Sequence, residues 1–158
     1  MSKFLGLATV IKSVQAEYKQ LAAQGNTKAT KQIETMCGAG IWYLPTAQKN
    51  ELLWTGWQSE ESIRLNECSE EHINPRKLQA AELLMLDWSE IDDAEQYIKD
   101  LYYNKLGKFH KVSKAENKKL VPYQKAGVFT TWEDAYTKVG INLIYSRVWQ
   151  LNNLHTPA

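Results

Sequence analysis

The 158-residue chain is short of the residue types that announce most small enzyme families: it has two cysteines and three histidines. Cys37 and Cys68 are too few for a disulfide framework, which points to a reducing cytoplasm. No apolar run approaches the ~20 residues that a membrane helix needs. The start, Ser2-Lys3-Phe4-Leu5-Gly6-Leu7-Ala8-Thr9-Val10-Ile11-Lys12, has a lysine and then apolar residues, as a signal peptide does. No small-x-small cleavage site follows, so an amphipathic helix of the mature protein is expected. There is no Gly-rich phosphate loop, no Cys-x-x-Cys, no Gly-x-Ser-x-Gly and no His-Glu-x-x-His. Nucleotide-binding loops, thioredoxin-type redox sites, α/β-hydrolases and zincin proteases lose their usual signatures.

What is present is a core. Hydrophobic residues make up 44% of the chain and aromatic residues 11%, which excludes disorder. The length fits one domain, taken here as residues 1–158. Net charge is only +1 but uneven. Residues 1–50 carry a net +4, 51–104 a net −9 and 105–158 a net +6. Lys105, Lys108, Lys111, Lys114, Lys118, Lys119 and Lys125 oppose Glu116 alone. Such asymmetry suggests a polyanion-binding face or two faces that attract one another, against an ordinary solvated helix with its flanking loops.

The pattern predicts a mainly helical α+β fold with a small antiparallel sheet or hairpin in the middle. Phe4, Leu7, Ala8, Ile11, Val14, Tyr18 and Leu21 form one face of a helix over 3–23. A second helix is expected over about 28–37, ended by Gly38-Ala39-Gly40. Strands are expected at 41–44, 52–57 and 62–65. Asn74-Pro75 reads as the cap and first residue of a helix buried through Leu78, Ala81, Leu84 and Met85. Ser89, Ser113 and Thr131 each precede an acid by three residues, the capping-box spacing. Gly107 and Gly140 read as helix stops, and 141–145 as a last strand.

Two segments carry candidate chemistry, together spanning 69–120. In Glu71-His72-Ile73-Asn74-Pro75-Arg76-Lys77, an imidazole that titrates near neutrality follows a carboxylate able to hold a divalent cation. A helix start with Arg76 and Lys77 in its first turn favours phosphate. Base, metal and anion site within seven residues are what phosphodiester hydrolysis requires. In the second segment His110 lies among Lys108 and Lys111, and Asn117 precedes Lys118 and Lys119; the lysines can contact phosphates. His72 and His110 are thus the candidate catalytic residues, and Glu71 and Asn117 the candidate ligands of Mg²⁺ or a similar ion. Arg76, Lys77, Lys108, Lys111, Lys118 and Lys119 are the candidate nucleic-acid contacts. A zinc site from Cys37, Cys68, His72 and His110 is a weaker arrangement, because zinc ligands usually come as two close pairs. Trp54 and Trp57 place one indole toward a core and leave the other for a ligand, a base or a partner. The Thr130–Tyr136 stretch reads as a capped helix with no chemistry, and His155 lies in a polar tail.

Glu71-His72 followed by Pro75-Arg76, with Asn117 ahead of two lysines, resembles a degenerate His-Asn-His, or ββα-metal, endonuclease, a family with many small phage-encoded members. The resemblance implies His72 as general base, Glu71 as metal ligand and Asn117 as the family's central or helical asparagine. It implies DNA or RNA as substrate and the host cytoplasm as location if the chain is phage-encoded. The family's Gly-Gly, zinc knuckle and final metal histidine are missing. Two alternatives stand beside it. One is a non-enzymatic phage protein that inhibits a host protein or sequesters a ligand, with tryptophan and tyrosine as anchors. The other is a DNA-binding protein without cleavage.

Overall fold

A computed structural model describes residues 1–44 and 53–146, so Pro45, Leu52 and His155 lie outside the described residues. The protein is mainly helical α+β, and the described chain divides into two compact units. The first takes residues 1–44 and 74–107, the second 53–73 and 108–146.

The first unit is helical. Helix α1 (Lys3–Ala23) starts at Ser2, whose hydroxyl accepts from the Leu5 N–H, and buries Phe4, Leu7, Ala8, Ile11 and Tyr18. That is the expected stripe, less Val14 and Leu21, which are half-buried. Helix α2 (Thr27–Trp42) runs through the glycines expected to end it and absorbs the strand expected from residue 41. A Cβ on Gly40 would lie 2.8 Å from Leu7 Cδ1, and one on Gly38 would lie 3.5 Å from the Arg76 backbone. These glycines serve close helix packing, which overrides their poor helix propensity. Helix α4 (Arg76–Met85) is capped at Pro75, one residue later than expected, without a side-chain bond. It buries Gln79, Ala80, Leu83 and Leu84, and Met85 is exposed. The buried stripe is turned by one residue because α4 packs on both α1 and α2. Asp93, not Ser89, caps α5 (Ala94–Leu101), and Trp88–Glu90 form a separate 3₁₀ turn. A π-helical turn, Tyr102–Leu106, then closes on Gly107.

The second unit holds a four-stranded mixed sheet in the order β2-β3-β1-β4. Strand β1 (Trp54–Ser59) pairs parallel to β3 (Phe109–Val112) and antiparallel to β4 (Leu143–Tyr145). Strand β2 (Ser69–His72) pairs antiparallel to β3. The expected strand at 62–65 is instead helix α3 (Glu60–Leu65). Ser59 caps it, Glu60 and Glu61 suit its positive end, and Arg64 pairs with Glu61 at 3.3 Å. Helix α6 (Lys114–Leu120) carries the complete capping box expected at Ser113 and Glu116. Helix α7 (Trp132–Val139) has the Thr131 cap and ends at Gly140 in the left-handed region. One buried core cluster of this unit is Val112, Leu120, Ala135, Tyr136 and Ile141.

Gly56 interrupts the β1–β3 register and has φ +93°, a conformation that side chains rarely adopt. A Cβ there would meet Tyr145 Cε2 at 2.5 Å. Gly56→Ala is therefore expected to destabilise this unit by about 2 kcal/mol, from backbone strain and overpacking together. Amide exchange of β1 and β4 reads the effect, and unchanged protection contradicts it.

Candidate functional site

Strand alternation decides what each candidate side chain faces. Consecutive residues of a strand point to opposite faces. Glu71 and His72 follow one another on β2, so they do not share a site. Glu71 is 5% exposed and lies opposite His110 on β3, which is 2% exposed. His72 is half-buried, on the other face, opposite Phe109, with ring centroids 6.4 Å apart. Base and metal ligand thus separate, although both belong to the same short strand.

The face carrying Glu71 and His110 is a closed polar interior. His110 Nδ1 lies 3.3 Å from the Tyr136 hydroxyl. The His110 ring meets Trp132 edge-on at 4.6 Å and Tyr136 at 5.5 Å. Burial depresses the His110 pKa to about 4, against a smaller opposing pull from Glu133, so the imidazole is neutral at pH 7. Burial, with the charges of Glu71 and Glu116 adding, pushes the Tyr136 phenol well above its usual range. Glu71 Oε1 accepts from the Gln124 amide. Glu116 Oε2 accepts from the Ser59 hydroxyl at 2.5 Å and from the Ser113 N–H at 2.8 Å.

The remaining candidates are spread out. Asn117 donates to the Ser69 hydroxyl at 2.6 Å, which ties α6 to β2. Lys111 lies over the Trp54 ring at 3.9 Å, with Glu70 as its cross-strand neighbour. Lys108 is half-buried, and Lys118 and Lys119 are exposed in the last turn of α6. Arg76 and Lys77 belong to the first unit, where Arg76 stacks on Trp42 at 3.9 Å and Lys77 is exposed. Cys37 is buried in α2 and Cys68 is exposed. Among the described residues, no three His, Cys, Asp or Glu side chains gather as a metal site would need.

A different place in the second unit has the shape of a site. Trp57, Trp132, Glu133, Tyr136, Thr137 and the 141–143 segment line a cavity of about 290 Å³. Trp54 is 2% exposed, its indole N–H bonded to the Trp57 carbonyl, while Trp57 is 40% exposed. The bulge at Gly56 turns Trp57 outward, against Tyr145 at 5.4 Å. Trp132 and Tyr136, one turn apart on α7, stand at 74° to each other with centroids 5.5 Å apart. They form two walls of a corner, and buried His110 braces both from behind. The sequence signals one half of this pocket in Trp54-Thr55-Gly56-Trp57. The α7 half reads as a plain capped helix, because Trp132, Glu133 and Tyr136 reveal their role only beside β1.

The chain shows no significant match to a family model, a curated protein or a solved structure.

Proposed function

We propose that the protein is a ligand-binding protein without catalytic chemistry, and that its ligand occupies the Trp57–Trp132–Tyr136 pocket. The observation that carries this is the aromatic corner around about 290 Å³, near the lower end of small-molecule site volumes. Rings fixed from behind lose little freedom on binding, so contact energy is not spent on ordering them. Behind the corner the Glu71 carboxylate accepts from the Gln124 amide, and the His110 imidazole bonds the Tyr136 hydroxyl. They support the rings and do not face the cavity as an acid–base pair would.

A fragment mixture titrated into the full chain tests this by NMR of the indole N–H groups. Signals of Trp57 and Trp132 are expected to shift. Those of Trp54 and Trp88, bonded to the Trp57 and Leu83 carbonyls, are expected to stay in place. Trp57→Ala should weaken binding about tenfold, since an aromatic anchor contributes on the order of 1–2 kcal/mol. Ligand shifts that bypass both Trp57 and Trp132 contradict the proposal.

A further inference from the structure

The pocket reading extends to the charge of the ligand. Of the two acids in the first turn of α7, Asp134 is engaged by Lys138 at 2.7 Å. Glu133 makes no ion pair among the described residues, is exposed, and lines the cavity. The N-terminal end of a helix contributes roughly half a positive charge, which one full carboxylate outweighs. The cavity therefore has a negative group at its rim and two accessible indoles, Trp57 and Trp132, on its walls, with the buried Tyr136 ring beneath them. Aromatic faces attract cations through their quadrupole, most strongly when the cation sheds water cheaply. A bare ammonium is strongly hydrated, whereas an alkylated one presents methyl groups to the rings. The Asn142 and Thr137 side chains at the margin can take a polar substituent of the same ligand.

We infer that the pocket binds an alkylated ammonium group, its methyls against Trp57 and Trp132 over the buried Tyr136, and its charge balanced by Glu133. The inference rests on the pocket reading above and narrows it to one ligand class. Such a group occurs on small metabolites and on methylated lysine side chains, and the pocket chemistry is the same for both.

The test uses the full chain, with choline and its uncharged carbon analogue 3,3-dimethylbutan-1-ol as paired probes. Choline is expected to shift the Trp57 and Trp132 indole signals, and the alcohol to bind about tenfold more weakly. Glu133→Gln, at an exposed position that leaves the core intact, is expected to weaken choline about fivefold and leave the alcohol unchanged. A peptide carrying trimethyllysine that binds tighter than choline assigns the group to a protein partner; the reverse order assigns it to a free metabolite, and either result supports the inference. Equal binding of choline and the alcohol overturns it while the pocket reading stands. Absence of choline shifts at both indoles also overturns it, and the fragment titration separately decides the pocket reading.

Discussion

Between pH 6.5 and pH 4 the sheet-bearing unit is expected to lose about 3 kcal/mol of stability through His110 alone. The imidazole titrates near 6.5 in the unfolded chain and at about 4 in the folded one. In that window the unfolded state binds the extra proton, so acid favours unfolding. The contribution is complete above pH 6.5 and disappears as the pH falls through the folded value of about 4. Burial is the main cause, because a charged imidazole between Trp132 and Tyr136 would lose its water without a matching partner. Glu133 and Glu71 are the nearby acids, and only Glu133 pulls the value back up. His110→Asn places a non-titrating amide nitrogen or oxygen near the Nδ1 position and can keep the Tyr136 bond. Amide exchange of β3, followed against pH, is expected to show a steep acid loss in the parent protein and a shallower one in the variant. Equal slopes would show that other groups carry the acid sensitivity. Acidification should also loosen Trp132 and Tyr136 first, so pocket binding should weaken before the unit unfolds.

The surroundings of His110 in the chain differ from its surroundings in the fold. Surrounded in the chain by Lys108 and Lys111, it reads as part of a basic surface. In the fold the strand period sends Lys111 to one face and His110 to the other, under α7. The same alternation separates Glu71 from His72. Adjacency in sequence looks like a shared site only while the segment is taken for a loop, and the short polar run Ser-Glu-Glu-His carries little strand signal. Helix signals travelled better because they are local. The α1 stripe, the Ser113 box, the Thr131 cap and the Gly140 stop all lie within one or two turns of what they control. Gly38 and Gly40 misled for the opposite reason: their role is set by Leu7 and Arg76, far away in the chain.

Glu116→Ala is expected to destabilise the second unit by about 3 kcal/mol, and Glu116→Gln by about 1 kcal/mol. The local half of the effect is legible in Ser113-Lys114-Ala115-Glu116: each end residue satisfies the other's backbone N–H. The larger half is not local. Glu116 Oε2 also accepts from Ser59, a residue with no solvent exposure whose own oxygen accepts from the Ser62 N–H to cap α3. One carboxylate thus joins the starts of α3 and α6 through the end of β1. Truncation to alanine strands the Ser59 hydroxyl and the Ser113 N–H in a buried setting, and unmet buried donors are what make such losses large. Glutamine keeps an acceptor oxygen of the same reach but forfeits the charge-assisted strength of the bonds. Exchange rates should rise together in α3 and α6 for the alanine variant, although 49 residues of chain lie between Asn66, at the end of α3, and Glu116. If only α6 loosens, the Ser59 bond contributes little and Glu116 is a helix cap alone.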